Sequence, residues 1–225
     1  MLVISIDGAC RRNGKPDCVS AGGVFIMHYN DALELTHTVL RTNYELESTN
    51  QRGEILALLT ALDYVHEAKQ SAQIITDSEY LFNSMTKNWY DNWANKGWIT
   101  STGEPVKNKD IWLQIKHAYD RCTAEGIECI FYHVKGHAIP FGKVTAQRLL
   151  AEDSSGMSLY NAVKQKYHKV KDEKDVYGKV AELSEKNNGF VPDGEILERF
   201  VVTNIVADAV ATMCVEAVDA LTINK

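Results

Sequence analysis

The sequence predicts an α/β fold in which helices flank a mixed five-stranded sheet. Three observations predict it. Leu2 to Asp7 alternates apolar and polar residues as a strand does, and two further strand-like runs flank the turn signal Asn30-Asp31. Helical and strand-like segments then alternate from Ile55 to Val134. We therefore expect three antiparallel strands followed by two parallel strands, with helices between them.

The first half of the pattern is a strand and a hairpin. The first strand is expected to end at Asp7, because Asp7-Gly8 is a turn signal. The runs Gly22–Tyr29 and Leu33–Leu40 then form an antiparallel hairpin.

The second half alternates helix and strand. Ser48 or Thr49 can cap a helix that runs through Ala68, and the run AQIIT leads into Asp77. The remaining predicted elements are a helix from Ser78, a helix over Asn108–Glu125 and a strand over Ile127–Val134.

Residues 141–200 differ in character from the rest of the chain. They contain basic and acidic residues in equal number, with helical spacing at Leu159, Val163 and Tyr167. We expect a mostly helical insertion here, and a main domain formed by residues 1–140 and 201–225.

Composition limits the class of protein. The chain has 24 Lys and Arg against 30 Asp and Glu. Its net charge of −6 argues against nonspecific attraction of nucleic acid through net charge. The five cysteines are odd in number and include no C-x-x-C pair, so we expect reduced thiols. We expect neither a leader peptide nor a stretch that spans a bilayer, which makes the cytoplasm the expected location.

Three acids fall where an α/β sheet gathers side chains. Asp7 and Asp77 end strands and Glu54 lies in an early helical turn, so all three are expected at one crevice. Clustered carboxylates repel one another unless cations compensate, and oxygen ligands favour Mg²⁺ or Mn²⁺. Each acid also has a structural interpretation as a turn, a cap or a solvated helix residue, and spacing alone leaves both open.

A fourth acid interrupts the apolar run NIVADAVA near the end of the chain. On a helix, Asp208 shares one polar ridge with Asn204, Thr212 and Glu216. Taken alone, this amphipathic pattern favours a solvated helix face over a ligand.

Six collinear motifs resemble those of type 1 ribonuclease H. They are Asp7-Gly8-Ala9-Cys10, TNQRGE (Thr49–Glu54), TDSEY (Thr76–Tyr80), Asn92–Trp112, VKGHA (Val134–Ala138) and Asn204-x-x-Ala207-Asp208. The resemblance covers Val3 to Val134 almost continuously and resumes in the last predicted helix. It implies an RNase H-like fold.

The resemblance also implies a metal-dependent endonuclease that cuts the RNA strand of RNA–DNA hybrids by a two-metal-ion mechanism, leaving 5′-phosphate and 3′-hydroxyl ends. Asp7 would bridge two Mg²⁺ ions, or Mn²⁺ in their place. Glu54 and Asp77 would help to hold the ion at the leaving group, and Asp208 the ion that activates water. His137 would assist proton transfer and product departure. The implied partner is the hybrid, and we expect a monomer with no membrane partner.

Other residues match family positions that distinguish RNA from DNA. Amide side chains suit the 2′-hydroxyl, because that group both donates and accepts hydrogen bonds. Trp89 and Trp93 match a channel for the DNA strand, whereas Trp98 is expected to pack between helices. The implied substrate-binding residues are Asn13, Thr49, Asn50, Gln51, Trp89, Trp93, Ser101 and Asn108.

The insertion departs from the family pattern. It separates His137 from Asp208, whereas in the family the last aspartate follows the histidine closely, so Glu152 and Asp153 are rival candidates for the fourth carboxylate. We prefer Asp208, because its surroundings reproduce the family motif and the neighbouring alanines permit close helix packing.

A basic stretch in the insertion raises a further hypothesis. Lys164, Lys166, Lys169 and Lys171 could hold the hybrid where the handle segment offers little positive charge. The alternative is a solvated helix face.

Two other functions stay open from the sequence. The chain could be another nuclease or recombinase of the same fold, which would explain the acids but not the amides and tryptophans together. It could also be a hybrid-binding module that has lost turnover, although the presence of all four candidate acids argues against this.

Overall fold

The computed structural model describes residues 1–171, 187 and 194–223. Its strands are β1 (Leu2–Arg11), β2 (Val19–Tyr29), β3 (Leu35–Leu46), β4 (Ala72–Thr76) and β5 (Cys129–His133). They form one sheet in the order β3-β2-β1-β4-β5. β1 is antiparallel to β2 and parallel to β4, β2 is antiparallel to β3, and β4 is parallel to β5. The predicted mixed sheet is confirmed.

Helices cover both faces of this sheet. They are α1 (Asn50–Ala68), α2 (Glu79–Thr86), α3 (Trp89–Asn95), α4 (Lys109–Ala124), α5 (Lys143–Glu152), α6 (Met157–Val170) and α7 (Gly194–Ile223). Leu2, Ile4 and Ile6 pack with α1 and α4, whereas Val3 packs with α6 and α7 on the opposite face. This division follows from the alternation of side chains along a strand.

β1 continues past Asp7 to Arg11, so the prediction that the first strand ends at Asp7 is wrong. The antiparallel ladder with β2 extends to the pair Arg11–Val19. The parallel ladder with β4 stops at Ile6–Thr76. Asp7 is therefore the first residue of β1 beyond the end of β4, and it keeps the edge position that a strand end would have.

α7 lies against the sheet at a contact that excludes side chains. A Cβ atom on Gly23 would lie 2.4 Å from both the carbonyl oxygen of Ala207 and the amide nitrogen of Ala211. A glycine in β2 opposite alanines in α7 thus lets the two backbones touch. This contact fixes the height at which α7 crosses the sheet, and with it the position of Asp208.

α7 also corrects the expectation that no stretch could span a bilayer. Gly194–Thr222 is long and apolar enough by length and composition, with a mean hydropathy of 1.6 over 18 residues. In the structure, 61% of that window is buried inside the protein. Phe200, Val206 and Val210 pack with Val3 in one core cluster. Packing within the fold accounts for the apolar character of this helix.

The cysteines differ from the prediction at one pair. Cys10 and Cys18 form a disulfide, whereas Cys122, Cys129 and Cys214 are free. The register of β1 and β2 places the two partners at facing strand ends. Sequence spacing does not show this closeness, because it depends on where the hairpin turns.

The described part of the predicted insertion is helical and consists of α5, α6 and the start of α7. Asn187 hydrogen-bonds the amide and the carbonyl of His133, at 2.8 and 3.0 Å, which covers part of the β5 edge. Residues 172–186 and 188–193 lie outside the described part. The division between main domain and insertion stays a prediction, and α7 crosses its boundary at residue 200 without a break.

Replacing Gly23 by alanine tests the contact between β2 and α7. We expect Gly23→Ala to lower the free energy of unfolding by about 1–3 kcal/mol, because the added methyl group overlaps the backbone of α7. The measurement is urea unfolding followed by circular dichroism.

Gly142→Ala is the matched control for this substitution. Gly142 has a φ of −74°, and the nearest atom to an added Cβ is 3.6 Å away. Because Gly142 is the N-cap of α5, where alanine is less favourable than glycine, the loss should stay within about 1 kcal/mol. Equal stability of the two variants would contradict the described packing of α7.

Candidate functional site

Four acids from four elements meet at one edge of the sheet. Asp7 lies in β1, Glu54 in α1, Asp77 directly after β4 and Asp208 in α7. Burial raises the pKa of Asp7 well above its ordinary value, and the charges of the other three carboxylates raise it further. The structure therefore brings together the four acids that the motifs selected.

Asp7 and Glu54 are held by the backbone of Gly8. A Cβ atom on Gly8 would lie 2.4 Å from the amide nitrogen of Glu54, so β1 and α1 touch directly at this position. The amide of Gly8 also donates to Oδ1 of Asp7 at 2.6 Å, which stabilises the ionised carboxylate. One glycine thus positions two of the acids.

Both oxygens of Glu54 accept hydrogen bonds. Nδ2 of Asn50 donates to Oε1 at 3.1 Å, and Oγ of Ser78 donates to Oε2 at 2.5 Å. Burial raises the pKa of Glu54, and the bond from Ser78 lowers it. The carboxylate is therefore oriented by protein donors.

The charge of His137 acts on both Asp77 and Asp208. Burial raises the pKa of each acid, and the charge of His137 lowers it. Thr212, one turn after Asp208 on α7, lies 3.5 Å from its Oδ1. His137 is exposed and has a φ of 51°, a left-handed conformation that is uncommon for a residue with a side chain. The loop that carries His137 thus presents its ring to two of the acids.

The rival acids have other positions. Asp153 follows α5 and accepts hydrogen bonds from the amides of Ser155 and Ser158, at 2.9 and 2.8 Å. Bonds from Ser155 and Ser158 hold its pKa below the ordinary range. Glu152 is exposed at the end of α5. Asp153 therefore caps the start of α6, whereas Asp208 lies within charge reach of the other acids.

The predicted amides form two pairs near the start of α1. Oδ1 of Asn13 accepts from the amide of Asn50 at 3.4 Å, and Nδ2 of Asn108 donates to Oε1 of Gln51 at 3.2 Å. Because Asn50 also bonds Glu54, the first pair adjoins the acids directly.

Two other predicted substrate-binding residues differ in position. Thr49 is the N-cap of α1 and accepts from the amide of Arg52 at 3.3 Å. Ser101 is exposed in the turn that the Ile99–Pro105 bridge closes. The structure thus gives Thr49 a capping role at the site and leaves Ser101 on a separate turn.

The tryptophans differ in their exposure. The rings of Trp89 and Trp93 lie 6.3 Å apart on α3, and Trp89 is 40% exposed. Trp93 also packs 5.4 Å from Trp112 of α4. Trp98 is 6% exposed and contacts Tyr90, so the prediction that it packs inside is confirmed.

Sequence reasoning missed several neighbours of the acids. Ser78 was predicted only as a helix start, yet it also bonds Glu54. Arg52 ties α1 to β3 and α4 through two ion pairs. Lys143 of α5 reaches Asp208 by charge, and no local pattern signals this, because the two residues belong to separate elements.

Lys164, the first lysine of the basic stretch in α6, lies away from the four acids. Lys164 pairs with Glu198 at 2.8 Å, and His168 lies 2.9 Å from the same carboxylate. Glu198 precedes Asp208 on α7 by a rise of about 15 Å. At Lys164, the structure gives no support to the hypothesis of a substrate-binding basic face.

The donor set fits the predicted ions. Carboxylate oxygens are the ligands that Mg²⁺ and Mn²⁺ favour, and buried like charges need a compensating cation. Among the residues that the structure describes, no three His, Cys, Asp or Glu side chains lie close enough together to form a metal site. Four mutually repelling carboxylates would need the charge of the ions to form one.

A sheet of this order, with acids from β1, α1, the end of β4 and the last helix, defines a ribonuclease H-like nuclease. The chain belongs to the RNase H family, whose model matches residues 1–154. The Ribonuclease H of Rickettsia massiliae is 34% identical over 151 residues, which cover 67% of this chain and 89% of that protein. The Ribonuclease H of Clostridium botulinum is 31% identical over 137 residues, 61% of this chain and 84% of that protein.

Two solved structures share the fold. LC9-RNase H1, a type 1 RNase H with the type 2 active-site motif, has a TM-score of 0.50 and 24% identity, and the match covers 61% of this chain and 64% of that one. The PFV RNase H domain has a TM-score of 0.50 and 20% identity, and the match covers 71% of this chain and 94% of that one. The family match ends before α7, so the position of Asp208 comes from the structure.

Paired substitutions at Asp208 and Asp153 test their different surroundings. In EDTA, Asp208→Asn should raise the free energy of unfolding by about 1 kcal/mol, because it removes one of four repelling charges. Asp153→Ala should lower it by about 1 kcal/mol, because it removes a cap. The measurement is urea unfolding at several pH values.

The effect of Asp153→Ala should depend on pH. Because the folded-state pKa of Asp153 is lowered, its stabilisation is present above the unfolded pKa of about 3.9 and is lost as pH falls further. The difference from the wild type should therefore shrink below about pH 4. A destabilised Asp208→Asn beside an unaffected Asp153→Ala would contradict both assignments.

Proposed function

We propose that this chain is an endonuclease that hydrolyses the RNA strand of RNA–DNA hybrids with two divalent metal ions and leaves 5′-phosphate and 3′-hydroxyl ends. The observation that carries the proposal is the convergence of four carboxylates at one sheet edge, where the charges of Glu54, Asp77 and Asp208 all act on Asp7. Membership of the RNase H family and the relatives named Ribonuclease H support it.

Asp7, Glu54, Asp77 and Asp208 would hold the ions, Mg²⁺ or alternatively Mn²⁺. Bound divalent ions would lower the pKa of an attacking water and stabilise the leaving oxygen. Asp7 is the central acid, since its pKa responds to all three others. The bonds from Asn50 and Ser78 keep Glu54 oriented before any ion binds.

His137 would carry protons at this site. Its ring lies within charge reach of Asp77 and Asp208 and is exposed to solvent. The two nitrogens of an imidazole can each donate or accept a hydrogen bond, so the ring can take a proton on one side and pass one to water on the other. Its place on a loop allows the ring to move without disturbing the sheet.

The amides and tryptophans would distinguish the two strands. Asn13, Asn50 and Gln51 present donors and acceptors suited to 2′-hydroxyl groups of the RNA strand. The exposed ring of Trp89 beside Trp93 would press on deoxyribose, where an added hydroxyl would not fit. Thr49, Ser101 and Asn108 would lie along the DNA backbone. Action as a monomer in the cytoplasm remains part of the proposal.

A cleavage assay on one labelled duplex set tests the function. We expect the protein with Mg²⁺ to cut the RNA strand of the hybrid and to leave RNA–RNA and DNA–DNA duplexes intact. EDTA should stop the reaction, and Asp208→Asn should lower kcat at least about 100-fold, because a metal ligand acts in the transition state. The products should carry 5′-phosphate and 3′-hydroxyl ends.

The control variant for this assay is Asp153→Asn, which keeps a capping side chain and should retain activity. Cutting of DNA duplexes would point instead to another nuclease of this fold. Hybrid binding without any cutting would point to a binding module. Loss of activity in Asp153→Asn alone would move the fourth carboxylate into the predicted insertion.

A further inference from the structure

The first helix of the predicted insertion borders the four acids. Lys143, the first residue of α5, and Gln147, one turn later, both donate to Glu216 of α7. A cavity of about 310 Å³ lies between these helices, and Lys143, Gln147 and Asp208 are among its lining residues. The insertion therefore adds a basic side chain to a pocket that opens beside the candidate catalytic centre.

We propose that Lys143 is a substrate-positioning residue that binds a phosphate of the RNA strand within a few nucleotides of the cut. The inference rests on the proposed function, because it assumes that the RNA strand passes Asp208. It assigns a substrate contact to α5, whereas the sequence had directed attention to the lysines of α6.

The ammonium group of Lys143 has hydrogen-bond donors left for a phosphate. Lys143 has a side chain that is 58% exposed. A lysine ammonium has three N–H donors, and the bond to Glu216 uses one of them. Two donors therefore remain for a phosphate, and charge-assisted bonds of this kind are among the stronger hydrogen bonds.

Glu216 has other polar partners besides Lys143. Gln147 donates to its second oxygen, and a guanidinium nitrogen of Arg11 lies 3.7 Å from its first. Glu216 therefore keeps partners when Lys143 turns toward a substrate. Arg11 remains as a second cation beside Glu216, so the release of Lys143 does not leave this carboxylate without a positive neighbour.

The distance along α7 from Asp208 to Glu216 brings Lys143 within reach of a nearby phosphate. Asp208, Thr212 and Glu216 follow one another at single-turn spacing on one face, so Glu216 lies about 12 Å beyond Asp208. Phosphates of one strand are spaced by about 3.4 Å along a duplex axis. A lysine held at Glu216 therefore reaches a phosphate within a few nucleotides of the cut.

A hybrid that binds at this site meets electrostatic repulsion, which a local cation can offset. The chain carries a net charge of −6, and the site gathers four acids that repel a polyanion. Local cations must offset this repulsion for the hybrid to bind. Lys143 supplies such a cation, because it lines the same cavity as Asp208.

Binding and cleavage by Lys143→Gln test the proposal. Fluorescence anisotropy with a labelled RNA–DNA hybrid in EDTA, over a series of salt concentrations, should show a Kd raised about 5- to 10-fold for the full-length variant. The slope of log Kd against log salt should fall by about 0.7–0.9, the value for one lost phosphate contact. With Mg²⁺ and saturating hybrid, kcat should stay within about twofold, so the loss appears in KM.

Two further variants separate the charge of Lys143 from its packing. Lys143→Arg should restore the wild-type Kd and salt slope. Lys69→Gln should behave as the wild type, because it removes the same charge from a surface ion pair with Glu125 at the end of α1, about 22 Å along the helix from Glu54. Urea unfolding of all variants shows whether folding has changed.

The outcomes distinguish this inference from the proposed function. A wild-type Kd and salt slope for Lys143→Gln would overturn the role of Lys143 while leaving hybrid cleavage intact. Hybrid binding by the wild type without cleavage would overturn the reaction and leave the phosphate contact standing if the slope still changes. Absence of hybrid binding by the wild type would overturn both.

Discussion

The mutual repulsion of buried carboxylates is the constraint on which the rest of this structure depends. The charges of Glu54, Asp77 and Asp208 all raise the pKa of Asp7, so backbone contacts must hold these acids together. Gly8 holds Glu54 against β1, and Gly23 holds α7 against β2. Near its C-terminal end α7 is fixed a second time, where Arg11 and Arg12 pair with buried Asp219, at 3.0 and 2.5 Å. Asp208 lies within the first of these anchors, between Ala207 and Ala211.

The sheet and its edge could be predicted from the sequence because their signals are local. Alternation in β1, the turn at Asn30-Asp31 and the helical spacing of α1 each lie within one short segment. The end of β1 could not be predicted this way. Asp7-Gly8 has the sequence of a turn, but β2 continues beside it and keeps the strand extended to Arg11. The disulfide between Cys10 and Cys18 escaped prediction for the same reason, since it follows from strand register.

The candidate site shows the same division. Strand ends and a helix start predicted that Asp7, Glu54 and Asp77 share one crevice but left their role open, and periodicity alone favoured a solvated face for Asp208. Motif resemblance selected Asp208, and the structure places it beside the other three acids although the family match ends earlier. Lys143 and Ser78 had no such signal, because each meets an acid of a different element. The predicted insertion therefore contributes to the site, since its first helix, α5, lines a cavity with Asp208.

The most direct test of the account is a titration with Mg²⁺ or Mn²⁺ in the absence of nucleic acid, followed by calorimetry and by the unfolding temperature. If the four acids form one site, the wild type should bind the ions and become more stable as they are added, since a ligand of the folded state stabilises it. Asp208→Asn should weaken binding at least about tenfold and reduce the rise in unfolding temperature, whereas Asp153→Asn should behave as the wild type. Unchanged binding by Asp208→Asn would contradict the central claim that α7 completes the carboxylate site.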